Sequence, residues 1–384
     1  MPQIETAGAR SNAVDVTDAT KPQSLQSIAE QSHAYALERN HVLQLIRVKP
    51  GFENFLLPKP ISVLSLAAKK GPVAIVNISN YGCDALILLP GLSDEVVHVP
   101  LPDFKLSQAQ LLAHCLASIV GGPGRDERLN GSREAEMPPD DIFRFVLSEL
   151  WFKIVCPVLK ALAITTPASQ DIGRIWWCLT GPLVFLPIHA AGLYGKDQAF
   201  GSKLSDFLIS SYTPSLTALI EGYRFQSQCE SQARLQLLTV TQPSAKGQSY
   251  IPGTQDEIKH IKQLAKGNIP ILWLDEDMAT IENVQKGMKE SRWVHFACHG
   301  VQKTSPTESA LLLAGSSRLT VSDIIQLNLP HADLAFLSAC QTATGSTELQ
   351  DESVHITASM LLAGYRGVIG TMWSIGDNIA PQVA

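Results

Sequence analysis

The sequence lacks the features by which nucleic-acid-binding and membrane proteins are usually recognised. It has 30 lysine and arginine residues against 36 aspartate and glutamate residues, a formal net charge of −6, and no long basic run. A basic surface attracts phosphate backbones and anionic lipids, so neither nucleic acid nor a membrane is an expected partner. No apolar run approaches the ~18 residues of a membrane-spanning helix, and the N-terminus does not resemble a secretory signal. We therefore expect a soluble protein.

Paired cysteines are also missing. The seven cysteines lie at positions 83, 115, 156, 178, 229, 298 and 340, and no two are spaced as CxxC. This scatter argues against a disulfide framework and against a structural zinc site, and it favours free thiols in a reducing compartment such as the cytoplasm. The sequence contains no GxSxG or GxGxxG motif, which removes the usual signals of a serine hydrolase and of a dinucleotide-binding protein.

The sequence does contain enough apolar residues for more than one core. Hydrophobic residues make up 45% of the 384 residues, whereas a single core rarely serves more than ~250 to 300 residues. Composition predicts a flexible tail over residues 1–24, an N-terminal α+β region over residues 25–120, a linker or mobile loop over residues 121–141, and a larger domain over residues 142–384. The α+β region is predicted to hold a hairpin, PVAIVNIS with CDALILLP, and a third strand, EVVHVPLP. A helix that Pro157 kinks is predicted over residues 142–163.

Strand and helix patterns alternate after residue 170. The runs LQLLTV, ILWL, WVHFAC and LAFLSAC have the composition of strands buried on both faces, and the segments between them have helical patterns with one polar side. Such alternation predicts a mostly parallel sheet flanked by helices. The fold class is therefore α/β, preceded by a smaller α+β region.

The stretch WVHFACHG holds His295, Cys298 and His299, which raises the question of a metal site. On a strand, His295 and His299 share one face and stand ~13 Å apart, while Cys298 lies on the other face. Bonds from nitrogen to a metal are ~2 Å long, so one ion cannot reach both histidines unless the strand breaks sharply. The simpler interpretation is that His295 and Cys298 are core residues.

A second interpretation concerns the ends of two predicted strands. His299 follows WVHFAC and Cys340 ends LAFLSAC, and ligands bind outside the carboxyl ends of parallel strands. An imidazole beside a thiol makes the thiolate available at neutral pH, so the pair can act as a Cys/His dyad. The alternative is that Cys340 is an ordinary buried cysteine at a strand end.

The same motifs resemble a known family. WVHFACHG, LAFLSACQTATG, DESVHITASMLLAGYRGVIGTMWSIGD and the earlier WWCLTGPLVFLPIHAAGLY are similar, in order and spacing, to motifs of the CHAT domain. The resemblance covers about residues 170–384, and upstream segments similar to those of fungal CHAT proteins extend it to about residue 40. The CHAT domain is a peptidase module of the caspase, separase and gingipain clan, clan CD. The resemblance therefore implies a caspase-like α/β fold for residues 142–384.

The resemblance also implies site residues. The histidine of the family's HG pair corresponds to His299 as general base, and the cysteine of its SAC motif corresponds to Cys340 as nucleophile. The backbone amides of Gly300 and Cys340 would form the oxyanion hole. Asp377 resembles the acidic position that makes separases select arginine. Asp351 is a second candidate for this substrate pocket, or else the N-cap of the helix that follows it. No metal or other cofactor is implied.

Two departures from the family pattern lead to two hypotheses. Family members usually continue beyond WSIGDNIAPQVA into a further helix and carry a tetratricopeptide array, and neither occurs in this sequence, so a truncated form is one expectation.

The leading hypothesis is a cysteine endopeptidase that cleaves a protein or peptide substrate after a basic residue and is controlled by a regulatory protein partner. The alternative is a catalytically silent CHAT-like scaffold that binds protein partners, which the missing repeats favour and the intact His299 and Cys340 disfavour.

Overall fold

The computed structural model describes residues 25–120, 138–168, 172–228, 235–265, 267–303, 305–339 and 355–383. The chain divides into two compact units, Met1–Val63 and Leu64–Ala384. In the first unit, a long helix ends at a turn in which Nε of Arg47 donates a 2.8 Å hydrogen bond to the carbonyl oxygen of Phe55. Both hydrophobic cores lie in the second unit: the first core includes Val76, Leu112, Leu150 and Trp177, and the second core includes Val294, Phe296, Leu337 and Met360. The tail predicted over residues 1–24 lies outside the described residues.

The regular elements of the described residues are numbered in chain order. The strands are β1 (Val73–Ser79), β2 (Gly82–Leu88), β3 (Val97–Pro100), β4 (Arg174–Leu179), β5 (Ile209–Tyr212), β6 (Leu237–Thr241), β7 (Ile271–Asp275), β8 (Trp293–Ala297), β9 (Gly300–Val301), β10 (Ala310–Leu312), β11 (Arg318–Thr320), β12 (Leu334–Ser338) and β13 (Gly367–Gly370). The helices are α1 (Leu25–Arg47), α2 (Ile61–Leu64), α3 (Leu106–Val120), α4 (Pro139–Leu150), α5 (Cys156–Ala161), α6 (Leu216–Gln228), α7 (Gly253–Ala265), α8 (Ile281–Glu290), α9 (Val321–Ile325), α10 (Ile356–Ala363) and α11 (Ala380–Val383).

The first sheet has the strand order β3-β2-β1-β4-β5. β1 and β2 form the predicted hairpin, with Ser79 opposite Gly82, and β3 is the predicted third strand. β1 also pairs in parallel with β4, with Val73 opposite Trp176. One sheet thus joins strands on both sides of residues 121–137, which lie outside the described residues. The linker predicted over residues 121–141 stays a prediction.

The helix predicted over residues 142–163 is interrupted where a kink was expected. α4 continues into a π-helical turn, Trp151–Val155, and then into α5. Pro157 lies in the first turn of α5. Because proline has no N–H and its ring crowds the carbonyl group one turn earlier, the backbone widens before it. The apolar side of all three segments still faces the first core, through Val146, Leu150, Ile154 and Val158.

The second sheet has the strand order β13-β12-β8-β6-β7, and its neighbouring strands are all parallel. The four apolar runs predicted as strands correspond to β6, β7, β8 and β12. The predicted α/β class with a mostly parallel sheet flanked by helices is therefore confirmed. A small antiparallel sheet, in the order β11-β10-β9, follows the carboxyl end of β8.

The two faces of the second sheet differ, because side chains alternate along each strand. One face carries Val294, Phe296 and Leu337, which lie in the second core with residues of α8, α9 and α10. The opposite face carries His295 and Ser338, and α7 contacts both side chains. The sheet is thus covered on one side by the second core and on the other by α7.

Candidate active site

The carboxyl ends of β8 and β12 lie side by side. The two strands are parallel neighbours, paired from Trp293 with Leu334 to Ala297 with Ser338. His299 comes two residues after β8, so the predicted base lies at the edge of the sheet where open α/β folds bind ligands. β12 can be followed as far as Ala339, whose carbonyl oxygen accepts a 2.6 Å hydrogen bond from Oγ1 of Thr371. The predicted nucleophile, Cys340, is the next residue and lies outside the described residues, as does Asp351.

Two backbone groups hold the half-buried His299. Its Nε2 is 2.8 Å from the carbonyl oxygen of Ser249, and its own carbonyl oxygen accepts a 2.9 Å hydrogen bond from the amide of Leu312. A carbonyl oxygen can only accept, so Nε2 carries the proton in the neutral ring. Nδ1 is then the basic nitrogen, which is the state that a general base requires.

Gly300 begins β9, opposite Leu311 of β10. The adjacent bond from the amide of Leu312 to the carbonyl oxygen of His299 makes Gly300 and Leu311 a pair without mutual hydrogen bonds. In such a pair the N–H groups point away from the partner strand. The amide of Gly300 is therefore directed away from β10, and its role as an oxyanion donor stays a prediction.

Asp377 lies in the segment after β13 and contacts the first residue of α7. Its Oδ1 and Oδ2 are 3.1 and 3.0 Å from the amide nitrogen of Gly253. A carboxylate is favourable there, because the first amides of a helix lack partners and carry partial positive charge. Asp377 therefore caps α7, and its predicted role in the substrate pocket stays a prediction.

The interpretation of Asp351 as a helix N-cap is wrong. The helix in question, α10, begins at Ile356, and its N-cap is His355, whose Nδ1 accepts a 3.2 Å hydrogen bond from the amide of Ala358. An imidazole nitrogen can replace the usual Asp or Ser oxygen because it offers the same kind of lone pair. The substrate-pocket role predicted for Asp351 is unaffected by this correction and stays a prediction.

His295 and Cys298 are core residues, as expected. They are 5% and 2% exposed, and the imidazole of His295 stacks on the ring of Phe336 with 5.1 Å between ring centroids. Its Nε2 is 2.8 Å from Oε2 of Glu257. Within the part of the chain that the structure describes, no three His, Cys, Asp or Glu side chains are grouped as metal ligands.

Glu257 was not identified from the sequence. It lies on α7, is 2% exposed, and its carboxylate binds both His295 and, through a 2.8 Å bond to Oε1, the hydroxyl of Ser338. A signal was present, because Glu257 lies on the same face of the helix as the buried Thr254 and Ile258. A charged residue on the apolar face of a helix needs a buried partner, although the sequence does not say which one.

An apolar cleft, open to solvent, lies beside the same strand ends. Its floor comes from β12 and β13, and its other wall comes from the chain between Ile375 and Val383. None of its described lining residues is charged; they are Phe336, Leu337, Ser338, Ile369, Gly370, Thr371, Ile375, Ala380 and Val383. The cleft is thus suited to an uncharged side chain.

The family model described as the CHAT domain matches residues 145–384. No curated protein matches the chain. Among solved structures, the Saccharomyces cerevisiae separase–securin complex is similar, with 13% identity and a TM-score of 0.49 over 94% of this chain and 31% of that chain. The chain therefore spans less than a third of that protein's length. Among the described helices, none is both long and apolar enough to cross a membrane.

Proposed function

The chain belongs to the CHAT domain family, and we propose that it is a cysteine endopeptidase with Cys340 as nucleophile and His299 as general base. The observation that carries the proposal is the pairing of β8 with β12. Paired residue numbers differ by 41 from Leu334 with Trp293 to Ser338 with Ala297, and Cys340 and His299 differ by the same number. His299 and Cys340 thus each come two residues after one of two neighbouring strands that end at the same edge of the sheet.

The proposed reaction follows from the tautomer of His299. Nδ1 takes the proton of the Cys340 thiol, and the thiolate attacks the carbonyl carbon of the scissile peptide bond. The bond to the leaving amine breaks as the imidazolium returns the proton to that nitrogen, which leaves a thioester. Water, deprotonated by Nδ1, then attacks the thioester and releases the acid product and the free thiol. No metal or other cofactor takes part in this proposal.

The oxyanion is proposed to bind the amides of Gly300 and Cys340. The amide of Gly300 points away from β10, so it is not used in the small sheet. Backbone amides held by a sheet are effective donors to a developing charge because they need no reorganisation during the reaction.

The proposed specificity is for a basic residue before the scissile bond, with Asp377 as its partner and Asp351 as a second candidate. One observation favours a different outcome. Asp377 is already occupied by the amide of Gly253, and the uncharged cleft between β13 and Val383 lies at the same edge of the sheet. If that cleft takes the substrate side chain, peptides with leucine at this position will be cleaved faster than peptides with arginine.

Hydrolysis of fluorogenic peptides tests the function and the specificity together. Peptides that differ only in arginine, leucine or aspartate before the scissile bond are compared on the purified chain, on Cys340→Ala and on His299→Ala. We expect both substitutions to reduce kcat/KM by about 10³-fold or more. The matched controls, Cys115→Ala and His98→Ala, change residues far from β8 and β12 in sequence and should keep full activity. Turnover that survives Cys340→Ala would contradict the proposal.

The second candidate function is a silent scaffold that binds protein partners. It is favoured by apolar side chains that lie in solvent near β13, where Ile369, Ile379 and Val383 are 50%, 44% and 62% exposed. A folded chain that cleaves none of the peptides and binds no electrophile at Cys340 would favour this function. A regulatory protein partner is proposed in either case.

The proposed compartment is the reducing cytoplasm. The cysteines among the described residues are all free thiols, at positions 83, 115, 156, 178 and 298. A nucleophilic thiol also requires a compartment in which it stays reduced.

A further inference from the structure

We propose that Glu257 is a positioning residue that sets the relative placement of the carboxyl ends of β8 and β12 through His295 and Ser338. This inference rests on the proposed function, because those strand ends lead to His299 and Cys340. Glu257 itself would touch neither substrate nor reacting atoms.

The contacts of Glu257 reach two rows on one face of the sheet. His295 pairs with Phe336 in one row and Ala297 pairs with Ser338 in the other, and the row of Phe296 and Leu337 lies between them. Glu257 binds His295 of β8 at 2.8 Å with one oxygen and Ser338 of β12 at 2.8 Å with the other. The carboxylate therefore ties β8 to β12 at their carboxyl ends, on the face of the sheet that carries His295 and Ser338.

α7 also connects this carboxylate to the surroundings of His299. The chain runs from Ser249, whose carbonyl oxygen binds Nε2 of His299, through Gly253, which Asp377 caps, to Glu257. Residues 249–257 therefore contact both His299, through Ser249, and His295 of β8, through Glu257. A shift of Glu257 would move the strand ends and the carbonyl partner of His299 together.

Stability alone does not account for a carboxylate at this place. A buried charge loses its hydration, and replacement of a buried ion pair by apolar residues is often neutral or stabilising. Apolar side chains in place of Glu257, His295 and Ser338 together would leave no polar group to be paired at this point, but they could not fix the distance between two strands through directed hydrogen bonds. Directed bonds at this point matter for catalysis, because a displacement of about 1 Å can lower a rate by about 100-fold.

The test measures the rate at which iodoacetamide alkylates Cys340 in the full chain, with peptide mass mapping as the readout. The rate is measured from about pH 5.5 to about pH 9, the range over which a free thiol changes from mostly neutral to mostly ionised. The variants are Ser338→Ala, Glu257→Leu and Glu257→Gln. The matched control is Ser359→Ala, since the hydroxyl of the buried Ser359 bonds to the Ile356 carbonyl of its own helix, at 2.7 Å, and not to a neighbouring strand. Thermal unfolding is recorded for every variant.

We expect Ser338→Ala and Glu257→Leu to slow alkylation at about pH 6 by about tenfold or more and to move the pH profile towards that of an unfolded thiol. Glu257→Gln, which keeps an acceptor and gains a donor at the same place, should stay within about threefold of the wild type. Ser359→Ala should lower the unfolding temperature as much as Ser338→Ala without changing the profile.

A wild-type profile in folded Ser338→Ala and Glu257→Leu would overturn the inference while leaving the proposed function intact. If Glu257→Leu does not fold, Ser338→Ala decides alone. A wild-type Cys340 that reacts no faster than in urea-unfolded chain would remove the proposed function and this inference with it, and that result is visible before any variant is compared.

Discussion

Backbone groups orient His299 at the scale of the single residue. The Ser249 carbonyl oxygen selects the tautomer, and the Leu312 amide fixes the backbone of the histidine. A neutral carbonyl group stabilises an imidazolium less than a carboxylate does, because it carries only a partial charge. In the dyad that we propose, activation of the Cys340 thiol would depend mainly on its distance from Nδ1, and we expect small displacements of the strand ends to lower it.

Gly253 lies so close to Asp377 that a side chain at this position would clash with it. A Cβ there would overlap the carbonyl oxygen of Asp377 and lie 2.7 Å from its Oδ1, whereas a Cβ at Gly222 of α6 meets nothing within 4 Å. We expect Gly253→Ala to lower the free energy of unfolding by about 1 to 3 kcal/mol. The control, Gly222→Ala, should raise it by about 0.4 to 1 kcal/mol. Urea denaturation measures both, and equal effects would show that Asp377 does not approach α7 as described.

Two structural thiols should be inert where the proposed nucleophile is reactive. Burial, with a contribution from Asp84, raises the pKa of Cys83 to about 12, and burial raises the pKa of Cys178 to about 11. Thiolate is the reactive form, so we expect iodoacetamide at about pH 8 to leave both unmodified in the folded chain and to modify both in urea. Modification of either in the folded chain at this pH would contradict its raised pKa.

The same two pKa values predict the effect of alkaline pH on stability. A free thiol in the unfolded chain has a pKa near ~8.5, below both folded-state values, so the unfolded state loses protons first as the pH rises. The stabilising contribution of these thiols is complete below about pH 8.5 and is lost as the pH rises through about 11 and 12. Unfolding midpoints measured at about pH 8 and about pH 10 should therefore fall with pH, and they should fall less in Cys83→Ala.

At the scale of the single element, the short helix α9 is stabilised by a cap at its N-terminus. Thr320 and Asp323 form a reciprocal cap, with 3.1 Å from the Asp323 amide to Oγ1 of Thr320 and 2.9 Å from the Thr320 amide to Oδ2 of Asp323. The helix places Val321 and Ile324 in the second core, where both are fully buried. The cap therefore supports packing as well as the helix itself.

Removal of this cap has an expected cost. Thr320→Ala should lower the free energy of unfolding by about 1 kcal/mol, and Thr320→Ser, which keeps the hydroxyl, should lower it by a few tenths at most. Chemical denaturation of the two variants makes the comparison. If serine and alanine are equally destabilising, the lost methyl contacts and not the cap would explain the effect.

Elements were predictable where local pattern decides their structure. β6, β7, β8 and β12 were predicted because short apolar runs buried on both faces have few alternatives. The N-cap of α10 was missed because histidine is an unusual cap and Asp351 a common one. The contacts of Glu257 with His295 and Ser338 could not be predicted, since they join residues 38 and 81 positions apart. Likewise the roles of Ser249 and Gly253 depend on backbone atoms, which every residue type provides.

At the scale of the whole molecule, the first sheet is built from distant parts of the chain. β1 and β4 pair in parallel although residues 80–173 separate them in sequence. The first core likewise combines Val76 and Leu112 with Leu150 and Trp177. The sequence predicted an N-terminal α+β region, but strand pairing over such a distance leaves no local signal.

Cleavage within residues 121–137 tests this organisation. A site for a specific protease is introduced there, and the cut chain is passed over a size-exclusion column. We expect the two fragments to elute together and to separate only in denaturant, because a shared sheet and a shared core hold them. Fragments that separate in native buffer would show that the first sheet does not depend on both parts.

The central claim is that His299 activates Cys340, and covalent labelling tests it most directly. A peptidyl electrophile with arginine next to its reactive group is incubated with the wild type, Cys340→Ala and His299→Ala, and intact mass is recorded. We expect one adduct on the wild type and none on either variant at equal time. A folded wild type that gains no adduct with arginine or leucine in the peptide, or an adduct that persists in Cys340→Ala, would contradict the claim.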